Sequence, residues 1–201
     1  MDPFRNTSQP DWDWWGKLWP TPGATLRRLG LDRGTSLAEV GSGNGYFALP
    51  AARITAPAPV YAVDLEGSLL AELEELAARQ EIENVRPIRG DARELDRLLP
   101  EPIDAVLLAN AFHGIAPEDR ATVLGAVHDS LRPGGTFVVV NWADRPREET
   151  TVDGETRGPP TELRVGPEET REAVREHTDL GFDRAVELPP YHYGLVFERE
   201  R

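Results

Sequence analysis

Glu39-Val40-Gly41-Ser42-Gly43-Asn44-Gly45 reads as the end of a strand running into a glycine-rich turn. Ser36-Leu37-Ala38 ahead of it has strand character that continues into Val40, and Tyr46-Phe47-Ala48-Leu49-Pro50-Ala51-Ala52 behind it has helical character. Strand, glycine turn and helix form the first half of a nucleotide-binding α/β unit. Lacking a Cβ, Gly41, Gly43 and Gly45 can take sharp dihedrals and admit a ligand close to the backbone. Free N–H groups at the helix start can then receive a carboxylate or a phosphate. Pro50 is expected to kink the helix, because it lacks the N–H that would bond to Tyr46.

Four further stretches extend this unit. Val60-Tyr61-Ala62-Val63-Asp64 alternates as a strand and ends on an acid, where a carboxylate can accept both ribose hydroxyls of an adenosine ligand. Gly90-Asp91-Ala92 follows the short strand Val85-Arg86-Pro87-Ile88. Asp104-Ala105-Val106-Leu107-Leu108-Ala109 is a buried-type strand running out into Asn110-Ala111-Phe112-His113. Leu131-Arg132-Pro133-Gly134-Gly135 is a helix end and turn, leading into the buried strand Thr136-Phe137-Val138-Val139-Val140. Between them lie two amphipathic helices. The first spans residues 67–82, with Leu69, Leu70, Leu73, Leu76 and Ala77 on one face. The second starts at Pro117 and carries Val123, Leu124, Val127 and Leu131 as its stripe, leaving His128 toward solvent.

In this order the five stretches resemble the class I S-adenosylmethionine-dependent methyltransferases, strongly over residues 36–142 and more loosely beyond. The resemblance implies an α/β fold, a Rossmann-like seven-stranded, mostly parallel sheet with helices on both faces and a C-terminal antiparallel strand pair. It implies S-adenosylmethionine as cofactor and methyl transfer by in-line displacement. Carried over by position, Glu39 would meet the methionine amino group. The backbone of Gly41, Ser42 and Gly43 would line the cofactor, and Gly45 would allow close helix packing. Asp64 would hold the ribose hydroxyls and Leu65 would lie against the adenine. Asp91 would accept from the adenine amino group with Ala92 packed nearby, and the alternative for Asp91 is an N-cap for Ala92 onward. Asn110 would sit beside the methionine part and the acceptor entrance.

His113 follows the fourth strand, where the resemblance places substrate, and its unperturbed pKa is near neutrality, so it is the candidate for acid–base work. On the last strand, alternation sends His192 to the face opposite Tyr191 and Tyr193, so one set at most can face the pocket. An Asn-Pro-Pro-Tyr element of adenine or glutamine N-methylation is missing after the fourth strand, where Asn110 is followed by Ala111-Phe112-His113. Gly158-Pro159-Pro160-Thr161 ahead of a Pro167-started helix is loosely similar to the small-molecule branch related to quinone biosynthesis. Two alternatives stand beside the methyltransferase. One is a protein that binds the cofactor without catalysis. The other is an NAD-dependent oxidoreductase, whose G-x-G-x-x-G fingerprint would need glycine where Tyr46 stands.

A chain of 201 residues suits one domain (residues 1–201) with a sizeable core. Within it, residues 1–30 form a Trp-rich arm and helix, 36–142 the cofactor-binding core, 145–166 a polar loop, and 167–201 a helix, closed by Gly181, and the strand pair. The arm holds Trp12, Trp14, Trp15 and Trp19, four of the five tryptophans. They dock the arm on the core, roof the acceptor pocket, or both. The loop at 145–166 is either mobile or faces substrate. Cysteine is absent, which removes disulfides, thiolate metal sites and a cysteine nucleophile, and no metal site is expected. No signal peptide or apolar span is visible, so a cytoplasmic protein without membrane contact is expected. The formal charge is −13, with Lys17 the single lysine among 22 basic residues. Arginine for lysine can reflect a GC-rich genome, whereas the acid excess fits a salt-rich, halophilic cytoplasm. An acidic surface grips phosphates poorly, so the expected partner is a small-molecule methyl acceptor and not a nucleic acid, with the oligomeric state open.

Overall fold

Residues 12–201 are described by the structure, a computed structural model, and nine strands appear among them. β1 (Leu37–Val40), β2 (Val60–Asp64), β3 (Val85–Arg89), β4 (Ile103–Ala109) and β5 (Leu131–Trp142) come first. β6 (Thr151–Val152) and β7 (Glu155–Thr156) make a small hairpin of their own, and β8 (Gly181–Leu188) and β9 (His192–Glu198) end the chain. The main sheet has seven strands in the order β3-β2-β1-β4-β5-β9-β8. β1 to β5 pair in parallel, and β9 runs antiparallel between β5 and β8. This is the mixed α/β architecture, with its C-terminal antiparallel pair, that the sequence led one to expect.

Strand alternation splits the core into two layers. Leu37, Ala62, Leu107 and Val140 point to one face. There they meet α1 (Trp12–Leu18), α2 (Pro22–Arg28), α3 (Ala48–Thr55) and α4 (Gly67–Arg79) through Trp15, Leu26, Leu49 and Leu73. Ala38, Val63, Val106 and Val139 point to the other face, which is covered by α5 (Leu95–Leu98), α6 (Arg120–Ser130) and α7 (Pro167–His177). Central strands buried on both faces explain why β4 and β5 are nearly unbroken apolar runs.

Several expectations shift. Pro50 falls in the first turn of α3, where its missing N–H has no helical partner to lose, so it causes no kink. The helix expected to 82 ends at Arg79, and Gly181 opens β8 instead of closing α7. His128 is not left to solvent but is held between Asp129 and Asp179 at 2.9 and 2.7 Å. The segment 145–166 is not irregular. The β6–β7 hairpin sits between two 3-10 turns, Arg147–Glu149 and Thr161–Leu163, and the single hydroxyl proton of Thr150 is shared between Arg147 O and Arg157 O on either side of it, at 2.7 and 2.8 Å. Residues 1–11, and the side chains of Trp12 and Asp13, lie outside what is described, so any lid role of Trp12 lies there too.

Gly45 shows how tightly the first turn is built. Its φ is +92°, and a Cβ there would stand 2.9 Å from Leu73 Cγ of α4. Gly45→Ala should therefore destabilise the fold by about 1–3 kcal/mol, from left-handed strain and the displaced leucine together. Denaturant unfolding measures this, and a loss below about 0.5 kcal/mol would show that the turn can relax.

Candidate active site

β1 lies where the strand order reverses, since its neighbours β2 and β4 lead the chain to opposite sides of the sheet. Ligands of open α/β sheets sit outside the carboxyl ends of the strands at that point. A cavity of about 660 Å³ opens there, lined by the ends of β1, β2 and β4 and by segments beyond them.

At one end of it, the chain after β1 crosses over β2. Glu39 is 2% exposed and Oε2 has no partner. Burial pushes its carboxyl well above the usual range, Asp64 pushes the same way, and a hydrogen bond from the Ala48 backbone opposes them. Asp64 accepts from the Gly43 N–H at 2.8 Å and the Glu66 N–H at 2.9 Å. Gly41 and Ser42 donate to Val63 O, and Gly45 donates to Ser42 O. These N–H groups of the turn are satisfied within the protein, and at the start of α3 the Leu49 N–H donates to Gly45 O and the Ala48 N–H to Glu39, so the helix-start groups expected to stand free for an anion are taken up as well. The turn is tied to the carboxylate of β2, an arrangement that repels a pyrophosphate. Gly41, Ser42, Leu65 and Ala92 line the cavity beside Glu39 and Asp64. Gly43 and Gly45 stand behind it, the first bonded to Asp64 and the second packed on Leu73.

Asp91 does not reach this group. Its carboxylate caps the 3-10 turn Ala92–Glu94 by accepting from Arg93 N, and it also takes the Arg93 guanidinium at 2.6 Å. The capping reading describes its position, because a carboxylate within reach of both its own turn and a neighbouring guanidinium is drawn away from the cavity.

Past β4, Asn110 turns the chain with φ +56°, and its buried carboxamide has neither atom bonded. His113 follows on a 3-10 turn, 5% exposed, with Nδ1 2.8 Å from Asn141 Oδ1 on β5. A carboxamide oxygen accepts, so Nδ1 carries the proton and Nε2 is the basic nitrogen. Burial lowers the pKa of His113, and the Arg164 charge adds to that against the Asn141 hydrogen bond. His192 is buried and pushed well below the ordinary histidine range, mainly by burial. It lies against Trp15, Trp19 and Trp142, and Tyr193 is on the opposite face, donating to Val165 O, but Tyr191 precedes the strand and stacks on Trp142 beside His192, so the expected alternation does not hold for it.

Trp14 and Trp15 stack at 4.8 Å and wall the cavity with Trp142, while Trp19 is docked edge-on against Phe47. Trp19 thus anchors the arm on the core, and Trp14 and the largely buried Trp15 line the cavity. Arg147, Thr156, Arg157, Gly158 and Pro159 from the folded-back segment close the same side. Reasoning from sequence missed Asn141, Trp142, Arg147 and Arg157. The signal for the first two was there, since a polar residue and an aromatic end a buried strand at the sheet edge that carries the site. Among the described residues no three His, Asp or Glu side chains group to hold a metal, and no helix is long and apolar enough to cross a membrane.

A family described as a methyltransferase domain matches residues 37–135. A tRNA (guanine(6)-N2)-methyltransferase of Thermus thermophilus is 38% identical over 134 residues, 62% of this chain and 39% of the relative. A tRNA (guanine-N(7)-)-methyltransferase of Corynebacterium diphtheriae is 35% identical over 118 residues, 54% of this chain and 46% of the relative. The chain thus spans less than half the length of these two curated relatives. A SAM dependent methyltransferase from Aquifex aeolicus superposes with a TM-score of 0.75 at 20% identity, covering 89% of each chain, a likeness of fold.

These relatives overturn the expectation of a small acceptor and no nucleic acid, since both are named for tRNA. The expectation rested on net charge, which averages over the whole surface, whereas the lining of one cavity has its own charges, here Arg147 and Arg157 beside Glu39, Asp64 and Glu66. The quinone-related likeness finds no support among them. From the matched residues, the sheet order and the cavity at its reversal point, the chain carries a methyltransferase domain of the class I S-adenosylmethionine-dependent family, with S-adenosylmethionine as its cofactor.

Proposed function

We propose that this chain methylates a planar, ring-bearing acceptor that stacks among Trp14, Trp15 and Trp142, with a nucleic-acid base as the leading candidate. The observation that carries the reading is the two-ended cavity, with the buried Glu39 and half-buried Asp64 carboxylates at one end and a basic nitrogen among aromatic walls at the other. The tRNA relatives support the choice of a base.

The residues present suit the cofactor. When bound, it supplies a methyl group already activated on a sulfonium. Glu39, buried with an unpartnered oxygen, would take the amino group. Asp64 has lone pairs left after its two backbone bonds and would take the ribose hydroxyls. Leu65 and Ala92 would flank the adenine, with Gly41 and Ser42 along the chain between. The unpartnered Asn110 carboxamide would orient the groups near the reacting centre. Asp91 is left out of this set. His113 Nε2 would accept the proton that the acceptor loses, and the aromatic walls would exclude water. We read the described residues as one domain built for this task.

Labelled S-adenosylmethionine incubated with unmodified tRNA transcripts and with guanosine tests the proposal. Label in either supports methylation of a base and says how large an acceptor is needed, whereas label in neither overturns it. His113→Ala should lower turnover by about a hundredfold with cofactor affinity nearly unchanged. Because burial keeps His113 neutral, the acidic limb of the wild-type rate profile should lie below the ordinary histidine range, and that limb should vanish in the variant. A profile unaltered by the substitution would remove His113 from the chemistry.

The acid excess is read as a salt adaptation. The midpoint of thermal unfolding should rise between roughly 0.1 and 2 M KCl, since the Debye length shrinks to about 3 Å at 1 M and self-repulsion is screened. A flat or falling midpoint would count against it.

A further inference from the structure

Arginine gathers at the acceptor end of the cavity although the chain as a whole is strongly acidic. Arg147 and Arg157 are the lysine or arginine side chains that line the cavity, and Arg164 lies behind them on the same folded segment. Each is held in place. Arg147 Nε donates to Gly158 O at 2.9 Å. The Arg157 guanidinium lies 5.4 Å from the Trp14 ring centre, and that of Arg164 lies 5.2 Å from the ring centre of Trp142. Arg164 Nη2 donates to Thr150 Oγ1 at 2.8 Å.

Carboxylates balance this group only in part. Glu155, which is exposed, pairs with Arg157, and Glu148 acts on Arg164 from a distance. Among the described residues neither Arg147 nor Arg164 makes an ion pair. Buried Arg157 Nε and Arg164 Nη1 have no acceptor at all. Guanidiniums crowded together and short of acceptors raise the cost of the fold unless something negative meets them. Because backbone carbonyls and aromatic faces already fix them, little side-chain freedom remains to be lost when an anion arrives.

We propose that Arg147 and Arg157, backed by Arg164, form an anion site that docks a phosphate group of a nucleotide acceptor while its base lies among the tryptophans. This rests on the reading of the cavity as a methyl-transfer site. It assigns the two ends opposite tasks: carboxylates for the cofactor, guanidiniums for the acceptor.

Calorimetric titrations of the protein, with and without S-adenosylhomocysteine, test this with guanosine 5′-monophosphate against guanosine. The phosphate-bearing member should bind about tenfold tighter or more, the value of a charge-assisted hydrogen bond. The advantage should be lost in Arg147→Ala and Arg157→Ala, partly restored in Arg147→Lys, and S-adenosylhomocysteine affinity should stay as in the wild type. No advantage for the phosphate, or an advantage that survives both alanine substitutions, overturns the anion site. Failure of S-adenosylhomocysteine to bind the wild-type protein would instead overturn the cofactor assignment, since the anion arms are read without it as well.

Discussion

Glu39→Gln should weaken S-adenosylmethionine binding about 10- to 100-fold and at the same time make the ligand-free protein more stable at neutral and alkaline pH. The first effect is the loss of a charge-assisted hydrogen bond to an ammonium, worth about 1.5–3 kcal/mol. The second follows from burial. Glu39 is 2% exposed, and its pKa is raised well above the ordinary value by desolvation and then by Asp64. A carboxyl whose pKa is raised on folding binds more protons in the folded than in the unfolded state. Stability therefore falls as pH rises from the unfolded carboxyl range through the raised value. Glutamine cannot ionise, so the variant should lack that slope. Thermal unfolding across pH, with calorimetric titration of the cofactor, reads both effects. If the variant binds as tightly as the wild type, Glu39 does not hold the amino group. If it loses stability at neutral pH, the carboxylate is compensated by more than the Ala48 hydrogen bond.

Trp142→Ala should cost about 3–5 kcal/mol of folding stability, the usual range for emptying a buried tryptophan site. Its ring is 2% exposed at the end of β5, and it joins three separate parts of the chain. Tyr191 stacks on it at 6.2 Å and His192 lies at 4.2 Å, both at the start of the last strand. Trp14 and Trp15 of α1 lie 6.5 and 6.4 Å away, and Arg164 covers it from the folded segment. Removing the ring leaves α1 and the β6–β7 hairpin without their common support. Acceptor binding should fall more than cofactor binding, because Glu39 and Asp64 lie on β1 and β2. Denaturant unfolding at fixed salt gives the first quantity. A loss of less than about 1 kcal/mol would mean that neighbouring rings collapse into the space.

What could be read from the chain alone was whatever depends on short stretches. The glycine turn after β1, the acid ending β2, the apolar runs of β4 and β5 and the helix stripes each carry a local period or a local steric demand, and their order implies the sheet. Glu39, Asp64 and Asn110 could be placed because they stand at strand ends, and strand ends of such a sheet converge. Tertiary structure decided the rest. Whether Asp91 faced the cavity depended on Arg93, two residues on but reaching back with its side chain. That Nδ1 of His113 would be held by a carboxamide depended on Asn141, twenty-eight residues away. The arginine cluster arises only when 145–166 folds back over Trp14 and Trp142, an event that no periodicity signals. Net charge misled about the acceptor for the same reason. It is a sum over the sequence, whereas binding responds to the few charges that folding brings within reach of one cavity.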